Sequence, residues 1–192
     1  MIEGIKQLLS AMTAFGLLIV LGFFIVSLAS VIFKKDLWES PPLRELTALL
    51  KRHGLVFGLI VALMAVLGSL FYSEIVGWEP CRFCWYQRIA IYPTAVLLTV
   101  AVIRKDRAVG IYLKPLLFIG GFIAFYHYLT QQFPFLDSGS CGALGGPLCS
   151  GVYTRTYGFI TIPFMALTST FLMWIFVSFA AEWKHRWFIF RK

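Results

Sequence analysis

The chain has 192 residues, 59% of them hydrophobic and only 14% charged, with a mean hydropathy of +0.81 and a formal net charge of +8. A soluble domain of this size carries about 25% charged and about half apolar residues, so these values exclude an ordinary water-soluble globule. Nucleic acid need not be invoked for the positive charge, because its placement along the chain has another cause.

Apolar residues gather in five stretches: Leu8–Phe33, Leu55–Tyr72, Trp85–Ile103, Ile111–Leu129 and Tyr157–Ala181. Each is near the roughly 20 residues that a helix needs to cross a hydrocarbon core, which predicts an all-α membrane protein. The connections are too short for a separate soluble catalytic domain, so any chemistry sits on helix ends or in loops. The first stretch is longer than the roughly 7–15 apolar residues of a secretory signal. Its basic pair Lys34 and Lys35 follows the run rather than preceding it, which predicts a retained helix.

Lys and Arg in short loops beside spans stay preferentially on the cytoplasmic side. Lys34, Lys35, Arg44, Lys51 and Arg52 lie between the first two stretches, and Arg104, Lys105, Arg107 and Lys114 between the third and fourth. The tail adds Lys184, Arg186, Arg191 and Lys192, whereas the opposite side holds only Lys6, Arg82 and Arg155. Five alternating crossings then place the amino terminus outside and the carboxyl terminus in the cytoplasm.

Between the first two stretches, Ser40 can cap a helix, Pro41 suits its first position and Gly54 can end it. Leu43, Leu46, Leu49 and Leu50 share one face, the pattern of an amphipathic helix lying along the membrane. Gly54 and Gly58 form a G-x-x-x-G, weak support for helix pairing between copies. In the tail, residues 183–188 interleave Trp183, Trp187 and Phe188 with Lys184 and Arg186, as an anchor at the headgroup level does.

All four cysteines fall on the outer side. Cys81 and Cys84 form a C-x-x-C pair at the start of the third stretch, and Cys141 and Cys149 lie in the last loop. Extracytoplasmic space permits disulfides, so two structural bridges are one reading. A bridge across two intervening residues is a poor staple, however, because it closes a very small loop. A pair at a helix start also meets unpaired N–H groups and the helix dipole, which lower a thiol pKa. Zinc binding by the four cysteines is disfavoured by the long second spacing and the oxidising compartment.

Arg88 lies four residues after Cys84 on the same helical face, about one turn deeper into the membrane. An arginine inside a span is expensive and marks a working site when it neighbours a reactive pair. On the fourth stretch, twelve residues of rise from Pro115, about 18 Å, bring His127 to a similar depth, with Gln131 one turn further on the same face. Thiol–disulfide exchange moves disulfides without creating any, so a net oxidant is required. The glycines of 142–146 lack the strand-to-helix context of a dinucleotide site, and Trp85 after Cys84 excludes a c-type haem motif. A quinone dissolved in the lipid remains, reaching Cys84 from the membrane side. Arg88 can then stabilise charge on the ring oxygens, and His127 or Gln131 can donate a hydrogen bond.

The runs Tyr72-Ser73-Glu74-Ile75, Glu79-Pro80-Cys81-Arg82-Phe83-Cys84-Trp85-Tyr86-Gln87-Arg88 and His127-Tyr128-Leu129-Thr130-Gln131-Gln132-Phe133-Pro134 are joined by the Cys141 and Cys149 pair and by Tyr157-Gly158-Phe159-Ile160-Thr161-Ile162-Pro163. Together they resemble the DsbB family of disulfide-forming membrane proteins, in particular its compact BdbC-like branch, over about residues 55–181. The resemblance implies a four-helix transmembrane bundle for residues 55–192. Residues 1–54 then form an additional N-terminal transmembrane helix with a cytoplasmic amphipathic segment.

The resemblance also implies a quinone-dependent thiol oxidase of the bacterial plasma membrane. Cys84 faces the quinone, ubiquinone or menaquinone, with Cys81 as its partner cysteine, and Arg88, His127 and Gln131 match polar positions of the quinone site. Cys141 forms a mixed disulfide with a soluble, DsbA-like thioredoxin-fold oxidase, and Cys149 resolves it. The loop pair is separated by only seven residues, leaving little room for the loop helix of longer family members. Two alternatives are a vitamin K epoxide reductase-like quinone reductase and a non-enzymatic scaffold with permanent bridges.

Overall fold

A computed structural model describes residues 2–34, 37–137 and 147–181. Five of the described helices are long and apolar enough to cross a membrane. They are α1 (Ile2–Ile32), α2 (Pro41–Leu70), α3 (Arg82–Arg104), α4 (Gly110–Gln132) and α5 (Ile162–Ala180). The protein is thus an all-α membrane protein. Cys141, the glycines of 142–146 and the aromatic, basic tail at 183–188 lie outside the described residues.

α2 packs on α3, α3 on α4, α4 on α5 and α5 back on α2, closing a four-membered ring, while α1 leans on α5 from outside it. The ring's core is aliphatic, with Leu98, Leu113, Met173 and Val177 fully buried among Ala62, Ala95 and Ala101. Lipid tails are as apolar as leucine, so helices in a bilayer gain from close packing more than from burial, and small residues permit it. Gly120 meets Ala90 of α3, and Gly110 meets Ala181: a Cβ on either would fall within 2.8 Å and 2.5 Å of those methyls. Large side chains on the outer faces, such as Phe15, Ile103 and Phe118, are exposed to where lipid would lie.

The basic connection between α3 and α4 is made by local chemistry. Lys105 closes α3 in the left-handed conformation, at φ 55°, and its N–H donates to Ala101 and Val102 carbonyls. The Asp106 carboxylate then accepts from the Ala108 N–H at 2.8 Å and starts the turn into α4.

One expected element differs. Ser40 and Pro41 do stand at the start of a helix, although the Ser40 hydroxyl donates backwards to the Leu37 carbonyl instead of capping the helix. That helix does not end at Gly54. It runs on through Leu70, so the separate amphipathic segment is the first turns of α2, and the expected boundary after residue 54 falls inside one helix. A mid-helix glycine costs about 1 kcal/mol in backbone entropy. Here packing offsets it, because a Cβ on Gly54 would fall 2.6 Å from the Phe176 carbonyl oxygen of α5. Gly58, one turn on, faces Leu98 and Val177. The G-x-x-x-G face is therefore occupied within the chain.

Candidate active site

Cys81 is itself the N-cap of α3, with extended backbone at φ −69° and ψ 171°. An N-cap side chain accepts from the orphan N–H groups of the first turn, and sulfur does so here, taking the Cys84 N–H at 3.4 Å. The two Sγ atoms lie 3.1 Å apart and share a hydrogen bond. Both are free thiols; Cys81 is buried and Cys84 half-buried.

On the far side of Cys81 stands His127 of α4, 2% exposed, with Nε2 at 3.5 Å from the Cys81 sulfur. Its Nδ1 is 3.0 Å from the side-chain nitrogen of Gln87 on α3. An amide nitrogen only donates, so Nδ1 accepts from Gln87 and the Nε2–H is the one aimed at sulfur. These contacts hold the Cys81 thiol well below the ordinary thiol range. The hydrogen bond shared with Cys84 has the largest effect, burial opposes it, and His127 and the Cys84 N–H add to the lowering. Cys149, fully buried and disulfide-bonded, packs in one cluster with Cys81, with Phe83 and Cys84 against it.

Cys84 looks the other way, into a cavity of about 520 Å³ enclosed by α1, α2, α3 and α5. Arg88 lines the same cavity. Its Nε donates to the Ser69 hydroxyl at 3.0 Å, and one terminal nitrogen donates to the Ser73 hydroxyl at 2.8 Å and the Ser69 carbonyl at 3.2 Å. Its guanidinium also lies over the Trp85 and Tyr92 rings. Among the described residues no carboxylate lies within ion-pair distance of Arg88. A cation held at membrane depth by neutral partners keeps its charge available to an incoming anion. Ser73 is positioned by a widened, π-helical turn, Phe71–Ile75, that finishes α2.

His127 and Gln131 do not line this cavity. They border a separate space of about 10 Å³ behind Cys81 and Cys84. The Gln131 side-chain nitrogen donates to the Gly151 carbonyl at 2.9 Å, tying the last loop to α4, and its oxygen has no partner among the described residues. Tyr153 borders both spaces. Burial, then the neighbouring Cys81, Cys84 and Glu79, push its phenol pKa up, so it stays a hydrogen-bond donor at neutral pH.

The large cavity's mouth is roofed by three stacked rings, Tyr72 on Trp78 and Trp78 on Tyr153, each pair with centroids 5.3 Å apart. Sequence reasoning missed Gln87, Ser69 and Ser73. The signals were present: Gln87 is one turn from Cys84, and Ser69 and Ser73 are polar positions four apart at the end of an apolar run.

The ligand atoms of Cys81, Cys84 and His127 all lie within 4.8 Å of one another. Two sulfurs flanking a tetrahedral zinc at about 2.3 Å each would stand about 3.8 Å apart. The observed 3.1 Å is shorter and suits a hydrogen-bonded thiol pair.

The family described as "Disulfide bond formation protein DsbB" matches residues 51–184. The chain belongs to the DsbB family. A disulfide bond formation protein C of Bacillus subtilis (strain 168) is 47% identical over 118 residues, covering 62% of this chain and 85% of that protein. A probable disulfide formation protein C of Halalkalibacterium halodurans is 42% identical over 116 residues, 60% of this chain and 84% of the relative. A probable disulfide formation protein of Coxiella burnetii (strain CbuK_Q154) is 41% identical over 133 residues, 69% and 90% of the two chains. No solved structure matches significantly. This DsbB-family chain is therefore a multi-pass membrane disulfide oxidoreductase of the BdbC-like branch. The family match holds the C-x-x-C pair, His127 and Arg88, and leaves α1 outside.

Proposed function

We propose that the protein oxidises a soluble thioredoxin-fold dithiol at its cysteine end, outside the membrane, and passes the electrons to a membrane quinone. The observation that carries this reading is the division of the C-x-x-C pair between two surroundings. Cys81 packs against disulfide-bonded Cys149, while Cys84 opens with Arg88 into the large cavity.

The chemistry of that cavity fits a quinone. Its volume lies within the range of small-molecule sites, and its walls are mainly apolar, with Arg88, Ser69 and Ser73 grouped at the Cys84 end. Arg88, held by neutral hydroxyls and a carbonyl, would bind a ring oxygen as negative charge develops there. A quinone bound there supplies the two-electron, two-proton sink, leaving as hydroquinone as the Cys81 and Cys84 dithiol closes to a disulfide.

The remaining steps belong to the chain's own sulfurs. The partner's dithiol reduces the Cys141–Cys149 pair and leaves as a disulfide. Cys149, packed on Cys81, then attacks Cys81 of the oxidised C-x-x-C pair, and Cys84 departs as thiolate towards Arg88. Cys141 attacks Cys149 next, restoring the loop disulfide and expelling Cys81 as thiolate. A thiol of lowered pKa leaves faster, so the donors around Cys81 serve this last step. The test mixes purified protein, a reduced thioredoxin-fold substrate and either ubiquinone or menaquinone, and follows quinone absorbance. Loss of quinone absorbance matched by substrate oxidation is expected. Substrate oxidation without quinone reduction overturns the reading.

A further inference from the structure

The quinone reading accounts for one end of the large cavity and not for its length. α3 contributes only Cys84 to Tyr92, about 12 Å of rise, whereas α2 lines the cavity from Ile60 to Ser73 and α5 from Ile162 to Phe176, each about 20 Å. The sulfur and guanidinium therefore occupy one end. Beyond Tyr92 the walls are hydrocarbon: Ile19, Ile60, Val61, Leu172 and Phe176. A ring alone leaves that half empty.

The wall that encloses this half is α1, the helix outside the family match. Leu9, Met12, Gly16 and Ile19 recur at helical spacing along about 15 Å of it and all line the cavity, with Thr13 beside them. α1 is fastened at both ends. At the cysteine end, Lys6 lies 4.8 Å from the centroid of Trp78, the central ring of the roof. Further down, Gly16 comes against Leu172 and Thr168 of α5, Val20 packs with Leu172 and Ile175, and Phe23 stacks edge-on to Phe179. Gly16, Ile19, Leu172 and Phe176 nevertheless line the cavity, so the space between α1, α2 and α5 runs on past the first of these lower contacts.

We propose that α1 and the deep half of the cavity form a subsite for the prenyl tail of the quinone, so that this protein selects tailed over tail-less rings. The proposal rests on the quinone reading above. The slot is long and mainly apolar, and it is continuous with the site of the ring. It therefore takes an unbroken hydrocarbon chain attached to the ring, and a wall supplied by α1 gives this chain a contact that residues 51–184 alone do not provide.

The test uses the full chain in phospholipid nanodiscs and a quinone whose tail ends in a photoreactive diazirine, with adducts located by peptide mass spectrometry. Adducts within Leu9–Ile19 or Leu172–Phe176 are expected, competed by excess tailed quinone and not by the same excess of tail-less quinone or of phospholipid. Thr13→Trp should fill the slot and cut this labelling at least about tenfold, the equivalent of losing about two buried methylenes. Ile19→Trp provides a second filling variant if the first does not fold. Leu18→Trp should leave labelling unchanged, since Leu18 is 66% exposed and outside the cavity.

Equal competition by tailed and tail-less quinones, competition by phospholipid, or adducts confined to outward residues such as Leu18 and Phe24 would overturn the tail subsite while leaving ring binding intact. If neither quinone competes for labelling nor accepts electrons, it is the quinone reading itself that fails.

Discussion

Replacing His127 with alanine tests the electrostatics of the pair directly. The Cys81 thiol is held below the ordinary range, so its thiolate is present above that lowered value and is lost as pH falls through it. His127→Ala removes the Nε2–H donor at 3.5 Å and leaves the larger influence, the hydrogen bond from Cys84, in place. A hydrogen bond to a charged group contributes roughly 1.5–3 kcal/mol, equivalent to about 1–2 pH units. The long contact to sulfur points to the lower end, so the midpoint should rise by about one unit and stay below that of a free thiol. The assay is thiolate ultraviolet absorbance against pH in the reduced protein, with Cys141 and Cys149 replaced by alanine. Gln87→Leu should move the midpoint the same way by less, because the imidazole remains but its tautomer is no longer fixed. A midpoint that stays in place, or falls, in His127→Ala would show that this histidine does not support the thiolate.

Arg88→Ala removes the cation from the cavity and should lower kcat/KM for quinone by about tenfold to a hundredfold, the range for a charge-assisted bond. Thiol exchange with the soluble substrate, measured in a single turnover without quinone, should be unchanged; equal loss in both assays would remove Arg88 from the acceptor side. Cys149→Ala, mixed with the disulfide form of the soluble protein, should form a covalent complex in which the Cys141 thiol attacks the partner's disulfide and frees one partner thiol, seen on non-reducing gels, and a complex that instead requires Cys81 reverses the proposed order. Gly54→Val places a side chain against the Phe176 carbonyl and should destabilise the bundle by about 1–3 kcal/mol in thermal unfolding. Gly4→Ala, with nothing within 4 Å, should not.

The spans were legible because hydrocarbon thickness fixes their length, and α1, α3, α4 and α5 lie where the apolar runs lie. Gly54 misled because a glycine reads as a helix end unless the approach of another helix is known, and the Phe176 carbonyl is 122 residues away. Cys81, Cys84 and Arg88 were readable from i, i+3 and i+4 spacing on one helix. His127 was readable by depth alone, and depth does not say which side of the cysteine pair it faces. It stands behind Cys81, away from the large cavity, because α4 and α2 occupy opposite corners of the ring. Gln87 was hidden for the same reason: its role is defined by an imidazole forty residues on.

Under the proposed function the dithiol would serve both water-borne sulfur and a lipid-borne acceptor, and the N-cap position reconciles those demands. The N-cap residue has extended backbone and its side chain folds over the helix end, so Cys81 is turned to the loop while collecting the Cys84 N–H. Cys84, inside the first turn, is committed to the face it shares with Arg88. Shifting the outer cysteine by one residue would break this division, since it leaves the N-cap position, loses the bond from the Cys84 N–H and no longer faces the Cys84 sulfur. Moving the first cysteine from position 81 to 80, as Pro80→Cys with Cys81→Ser, should therefore leave both sulfurs present and abolish electron transfer between loop and acceptor. Retention of coupled turnover in that variant would mean that the helix start merely carries the sulfurs and does not sort them.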